Sequence, residues 1–303
     1  MYNKHYGFQE SPFNMTPNPR FFYQSPRHTE ALSTLIYAID QRKGFVVITG
    51  DIGSGKTTVC RTLLNQLNTK TETALITNTH LSSKDLLYTA LEDLGVECKP
   101  GSKSRLLSQL NQYLIEQLSL DRNVVLIIDE AQNLSPSVLE EVRMLSNLET
   151  ENEKLIQIIF LGQPELKEKL SLPRLEQLRQ RIAVYYHIYP LSEAETKEYI
   201  RHRLKVASGS EKPVFTADAL ELIYQFTRGI PRLINQLCDS ALLTGFIYGL
   251  TVIERDIINE VIEESPTAQL NYSTHKKAAD KVDNLPDLGG QDDPENNFIK
   301  RIP

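Results

Sequence analysis

Residues 45–58 read FVVITGDIGSGKTT, an apolar run that stops at a glycine-rich turn. Gly50, Gly55, Lys56 and Thr57 fit the spacing G-x-x-x-x-G-K-[ST] of a phosphate-binding loop. Gly53 adds a residue without Cβ, so the backbone can bend until its N–H groups point inward. The whole loop, Gly50, Asp51, Ile52, Gly53, Ser54, Gly55, Lys56, Thr57 and Thr58, with the N-terminus of a helix starting near Lys56, makes a concave site for negative charge. Triphosphate is its natural guest, with Lys56 reaching the β- and γ-phosphates and the Thr57 hydroxyl holding Mg²⁺. The context agrees: a buried strand precedes the turn, and Val59, Leu63, Leu64 and Leu67 recur after it at helical spacing.

Residues 123–128 form an unbroken apolar run rich in β-branched residues, the pattern of a central parallel strand buried on both faces. The run ends in Asp129-Glu130-Ala131-Gln132, two carboxylates where open α/β sheets bind ligands, beside the phosphate loop if the two strands are neighbours. Asp129 is expected to hold Mg²⁺ through water, and Glu130 to orient and deprotonate the water that attacks the γ-phosphate. A further apolar strand over 156–161 ends at Gly162-Gln163-Pro164, where Gln163 either reads phosphate and attacking water or is a simple turn residue. The segment LEQLRQRI over 175–182 carries Arg179 and Arg181 just before a strand over 183–189. Neither arginine easily reaches the site of its own chain, which leaves a finger into a neighbouring subunit's nucleotide or a salt-bridged surface helix.

Around these motifs strands and helices alternate, as a parallel sheet requires. Residues 1–30 form an aromatic and proline-rich arm, read as extended, whose rings either wall an adenine pocket or pack on the core. A helix over 29–41 follows, and a strand over 73–77 precedes a helix that Ser82 and Asp85 cap. Another helix covers 104–118, and Ser135-Pro136 opens one more. From Leu191 the pattern is helical only, with capping signals at Ser192 and Glu195, at Thr216, and at Thr251 and Glu254. Gly229-Ile230-Pro231-Arg232 ends one helix and opens the next, so Arg232 projects from a first turn and can contact the phosphates from the lid side. Past Ser265 the periodicity vanishes, which predicts a flexible tail. The division expected is therefore an arm (1–30), an α/β nucleotide domain (31–190), a helical lid (191–264) and a tail (265–303).

Composition bounds the rest. The 303 residues are 40% hydrophobic and 24% charged, a globular make-up with room for two domains. Lys and Arg number 33 against 39 Asp and Glu, a net charge of −6 that gives no global reason to bind nucleic acid. The three cysteines are far apart, which argues against zinc and disulfides and for a reducing, cytoplasmic setting. The N-terminus lacks a signal-peptide core, and no run reaches the roughly 18 apolar residues of a membrane span.

Taken together, GDIGSGKT, VVLIIDEAQ, FLGQPEL, LRQRI and GIPRLINQL, with the opening YGFQESPFNMTPNPRFFYQSPRHTEAL, resemble AAA+ ATPases of the ExeA or general secretion pathway protein A type over residues 1–264. The resemblance implies a P-loop fold with a five-stranded parallel sheet, a small helical lid, ATP hydrolysis, and assembly into a ring or chain of subunits. It makes Lys56, Thr57, Asp129 and Glu130 the Walker residues, Gln163 sensor 1, Arg232 sensor 2, and Arg181 the arginine finger with Arg179 in reserve. The longer secretion members continue into a membrane span and a peptidoglycan-binding module, and the layout here is closer to short pilus-biogenesis relatives of the MshM kind. The first functional reading is an ATP-driven assembly or regulatory switch for a type II secretion, type IV pilus or exopolysaccharide export apparatus. The alternatives are a DNA-associated ATPase similar to transposition regulators of the TnsC and TniB kind, which the acidic balance disfavours, and a nucleotide-gated scaffold with little hydrolysis, which an intact Glu130 disfavours.

Overall fold

Alternating hydrophobic runs and capped amphipathic segments resolve into five strands and twelve helices among the described residues of the computed structural model, which are 1–16, 18–98, 101–149, 153–210 and 212–264. The tail read from composition lies outside them. In order the elements are α1 (Tyr2–Tyr6), α2 (Pro26–Asp40), β1 (Phe45–Gly50), α3 (Lys56–Gln66), β2 (Thr71–Ile76), α4 (Ser83–Asp93), α5 (Lys103–Ser119) and β3 (Asn123–Ile128). Then come α6 (Pro136–Leu145), β4 (Gln157–Gly162), α7 (Glu165–Leu170), α8 (Glu176–Arg179), β5 (Ile182–Ile188), α9 (Glu193–Ser208), α10 (Ala217–Thr227), α11 (Pro231–Ile247) and α12 (Arg255–Glu264).

The five strands make one all-parallel sheet in the order β2-β3-β4-β1-β5. Side chains alternate between its faces, as the two-residue period of a strand dictates. Phe45, Val47, Val124, Leu126, Ile158 and Phe160 face α4, α5, α6 and α7, while Val46, Ile48, Val125, Ile127, Ile159 and Leu161 face α2 and α3. Because both faces are covered, β1, β3 and β4 carry apolar residues at nearly every position instead of alternating with polar ones.

Several boundaries differ from the sequence reading, each for a local reason. The arm is not wholly extended: it opens with the five-residue α1, which ends at Gly7 in a left-handed conformation, φ 80°. Helix α2 begins at Pro26, three residues before the predicted start, because Ser25 is its N-cap and accepts from the His28 N–H. Thr251 and Glu254 do not form the expected capping box, since α12 starts at Arg255, which leaves Thr251 four residues ahead of the helix. Instead Ile253 pairs with the segment around Phe215, donating to Val214 O at 2.7 Å and accepting from Thr216 N at 3.0 Å. The Ser82–Asp85 and Ser192–Glu195 pairs do form reciprocal capping boxes. No helix among the described residues is long and apolar enough to cross a membrane.

Candidate nucleotide site

The glycine-rich turn between β1 and α3 is held from three sides. Lys56 Nζ donates to the Gly50 and Asp51 carbonyls at 2.7 and 2.9 Å. From α11, the Arg232 N–H donates to Gly53 O at 3.3 Å. From α2, the His28 ring lies with Nε2 2.9 Å from Ser54 O. Gly53 and Gly55 sit at φ 79° and 100°, where a side chain is strained, and a Cβ on Gly53 would come 2.4 Å from Arg232 Cβ. Burial pushes the Lys56 pKa down, and the negative charges of Glu130, Asp129 and Asp51 oppose that shift.

The two carboxylates that end β3 have different surroundings. Asp129 is buried; its Oδ2 accepts from Thr57 Oγ1 at 2.9 Å and its Oδ1 from the Glu130 N–H at 2.9 Å. Burial raises its pKa, against those two hydrogen bonds. A hydroxyl and a carboxylate in contact at the head of a phosphate loop are the hard oxygen donors that suit Mg²⁺. Glu130 occupies a left-handed backbone conformation, φ 52° and ψ 38°, which turns its side chain toward the end of β4. There Glu130 Oε2 accepts from Gln163 Nε2 at 3.1 Å and from Gln132 Nε2 at 2.6 Å. Gln132 Oε1 in turn accepts from the Gln163 N–H at 3.0 Å, so one amide ties the ends of β3 and β4 together.

The condition that β1 and β3 be neighbours is not met. β4 lies between them. The carboxylates still meet the loop because α3 begins directly after it and carries Thr57 across the end of β4 to Asp129. This order is also what places Gln163, at the end of β4, in the middle of the group.

A cavity of about 390 Å³ opens over the loop, lined by Gly53, Lys56, Thr57, Glu130, Gln163 and Arg232 on one side and by Asn14, Met15, Asn18, Phe22 and Tyr23 of the arm on the other. Its volume falls in the usual range for small-molecule pockets. The arm is fixed there by Arg203 of α9. The residue is 6% exposed, and its guanidinium donates to Pro12 O at 2.6 Å, to Asn14 O at 3.3 Å and to the Tyr199 hydroxyl at 2.8 Å, and lies over the Phe13, Phe21 and Tyr199 rings.

Arg181 is not brought to this cavity. It precedes β5 and so lies at the opposite edge of the sheet, beside Gly44 and Lys154 in a second cavity of about 480 Å³. Its Nη1 donates to Ser146 Oγ and Asn147 Oδ1, each at 2.6 Å. Arg179 is exposed, with one long contact of 3.5 Å to Ser171 O. Sequence reasoning assigned no role to His28, Gln132 or Arg203. Gln132 was visible within DEAQ, but what an amide bonds to depends on which strand ends lie beside it, and no periodicity carries that.

Comparison with known proteins agrees with this geometry. Residues 39–170 match the AAA domain family. The chain is 44% identical over 250 residues to general secretion pathway protein A of Aeromonas hydrophila, an alignment that takes in 82% of this chain and 46% of the relative. The chain thus spans about half the length of that relative. Among solved structures, Cdc6p of Pyrobaculum aerophilum superposes with a TM-score of 0.66 at 17% identity, covering 84% of this chain and 70% of that one. The ORC2 protein of Aeropyrum pernix, solved as ADPNP–ADP complexes, superposes with a TM-score of 0.64 at 15% identity, over 85% of this chain and 72% of that one. These likenesses establish the P-loop AAA+ fold.

Proposed function

This chain belongs to the AAA proteins of the general secretion pathway protein A type, and from that premise we propose that it is a Mg²⁺-dependent ATPase serving as an assembly or regulatory switch. One observation carries the reading: the loop's Thr57 is bonded to Asp129, while the adjacent Glu130 is turned away to Gln163. Two neighbouring carboxylates are thereby separated into a metal-side group and a water-side group, the division that phosphoryl transfer to water needs. Thr57 and Asp129 would hold the metal, which supplies charge neutralisation on the phosphates when bound. Lys56 adds its charge to the same oxygens. Glu130 orients the attacking water and accepts its proton as the new bond forms to the γ-phosphorus and the bond to the β–γ bridging oxygen breaks. Gln163 reads the γ-phosphate from the end of β4, and Arg232 meets the phosphates from α11.

The same reading takes residues 31–190 as the nucleotide domain, 1–30 as an arm closing the base pocket, and 191–264 as a lid that contributes Arg203 and Arg232. The partner is a protein of an envelope export or pilus system, and the relative's name, which refers to a secretion pathway, supports the export part of that reading. The place of work is the cytoplasm, where ATP is available. Subunits associate so that Arg181 of one completes the site of the next.

Glu130→Gln tests the core of this reading. The variant is expected to bind Mg·ATP like the parent and to hydrolyse it more than ~100-fold more slowly, about the lower bound of general-base contributions, whereas Lys56→Ala loses binding. Turnover by Glu130→Gln at the parental rate under conditions of self-association would reject the assignment. Duplex-DNA binding that persists above physiological salt would replace the export reading with a DNA-associated one.

A further inference from the structure

A phosphate loop binds anions only where its N–H groups face the guest, and that direction is set peptide by peptide. In a trans peptide the carbonyl and the following N–H point in opposite directions. The described residues contain no cis peptide. Whatever fixes the Ser54 carbonyl therefore fixes the Gly55 N–H pointing the other way.

His28 fixes it. A carbonyl can only accept, so the 2.9 Å contact between His28 Nε2 and Ser54 O puts the ring's proton on Nε2. In the neutral ring, which burial favours, Nδ1 is then an acceptor and the Ser25 hydroxyl donates to it at 2.7 Å, while Ser25 Oγ accepts from the His28 N–H at 3.3 Å. Both ring nitrogens are used, in one neutral tautomer. Ser25 is fully buried and His28 is 5% exposed, with Phe22 edge-on to the ring at 5.8 Å between centroids. The fit to the loop is close: a Cβ on Gly55 would come 2.8 Å from Nε2.

Resting on the nucleotide reading above, we infer that His28 is a positioning residue for the phosphate loop: by holding the Ser54 carbonyl it turns the Gly55 N–H away from the ring and toward the bound phosphates. It also makes the arm–α2 junction part of the nucleotide site. Ser25 and His28 sit where the aromatic arm becomes a helix, so displacement of the arm would release the Ser54–Gly55 peptide.

The test is Mg·ATP affinity by calorimetry for the full chain and for His28→Ala, His28→Asn and His28→Gln. Glutamine carries its amide donor out to about the position of Nε2, whereas asparagine reaches only as far as Nδ1. His28→Ala and His28→Asn are expected to weaken ATP binding about tenfold, the size of one buried hydrogen bond to a group the site needs, and His28→Gln to recover most of it. A helix start that merely needed any polar residue would rank asparagine with glutamine. Thermal melts identify variants that do not fold, and the contrast between asparagine and glutamine decides the matter even if alanine is one of them. Unchanged affinity in folded His28→Ala, or equal affinity in the asparagine and glutamine variants, would overturn the inference while leaving ATP binding by the parent intact. A parent that bound no Mg·ATP would overturn this inference together with the reading on which it rests.

Discussion

Glu130 pays for its position in backbone strain: a non-glycine residue at φ 52° costs of order 1–3 kcal/mol and persists only where its surroundings fix it. Gln132 and Gln163 do so through two amide donors to one carboxylate oxygen. Hydrogen bonds to a charged group are worth about 1.5–3 kcal/mol, so Gln132→Ala is expected to lower kcat about tenfold or more with KM for ATP nearly unchanged. Steady-state kinetics check this, and an unaltered kcat would show that Gln163 suffices. The chemistry at this scale was legible in residues 45–58 and in Asp129-Glu130 because phosphate and metal demand fixed residue types at fixed spacing. His28 and Gln132 were not, because what they bond to is set by tertiary contact. Burial lowers the pKa of His28, against its bond to Ser54 O and the charge of Glu195. The native ring then binds fewer protons than the unfolded one, whose pKa is about 6.5, so this contribution is complete above that value and is lost as pH falls below it. Melting temperature should fall from pH 7.5 to 5.5, and less steeply in His28→Gln. Burial likewise lowers the pKa of His187 and His202, which keeps some slope in the variant.

At the scale of elements, the joint between β5 and the helices that follow depends on one glycine. Gly229 has φ 76°, and a Cβ there would lie 1.8 Å from Leu191 O, while its own carbonyl accepts from the Leu191 N–H at 2.9 Å. Gly229→Ala must open that contact. A loss of about 2–3 kcal/mol is expected, seen as a fall of roughly 4–12 °C in Tm by calorimetry. A shift below 1 °C would mean that Leu191 moves freely. Gly-Ile-Pro-Arg was readable as a helix end and a helix start because glycine and proline act through their own backbones. The central strands were readable for a different reason, burial on both faces. Helix α7 was missed: six residues are too few to display a period. The Thr251–Glu254 misreading has a different root, a capping pair outweighed by the pairing of Ile253 with the segment around Phe215.

At the scale of the whole molecule, an all-parallel sheet has two chemically distinct edges, the carboxyl ends with the nucleotide cavity and the amino ends with Arg181. Heterologous association, carboxyl edge to amino edge, is the arrangement in which Arg181 could serve a neighbour's γ-phosphate, and it propagates to a ring or chain. Reaching across would cost Arg181 its bonds to Ser146 and Asn147, whereas the exposed Arg179 would give up little. Arg181→Ala is expected to keep nucleotide affinity and lose about 10³-fold in turnover. Mixed with Lys56→Ala it should regain activity, because hybrid interfaces unite an intact loop with an intact finger. Co-assembly without recovery, or normal turnover by Arg181→Ala, would shift the role to Arg179 or remove it.

The clamp of Arg203 on the arm has a consequence in time. Pro12 and Arg203 are 191 residues apart, and at ~5–20 residues per second the ribosome needs roughly 10–40 s to make the second after the first. Through that interval Phe13 and Phe21, both buried in the finished molecule beneath Arg203, have no α9 to lie against. The arm is thus made well before the helix on which it docks, and until then its rings stay open to any chaperone or neighbouring nascent chain within reach.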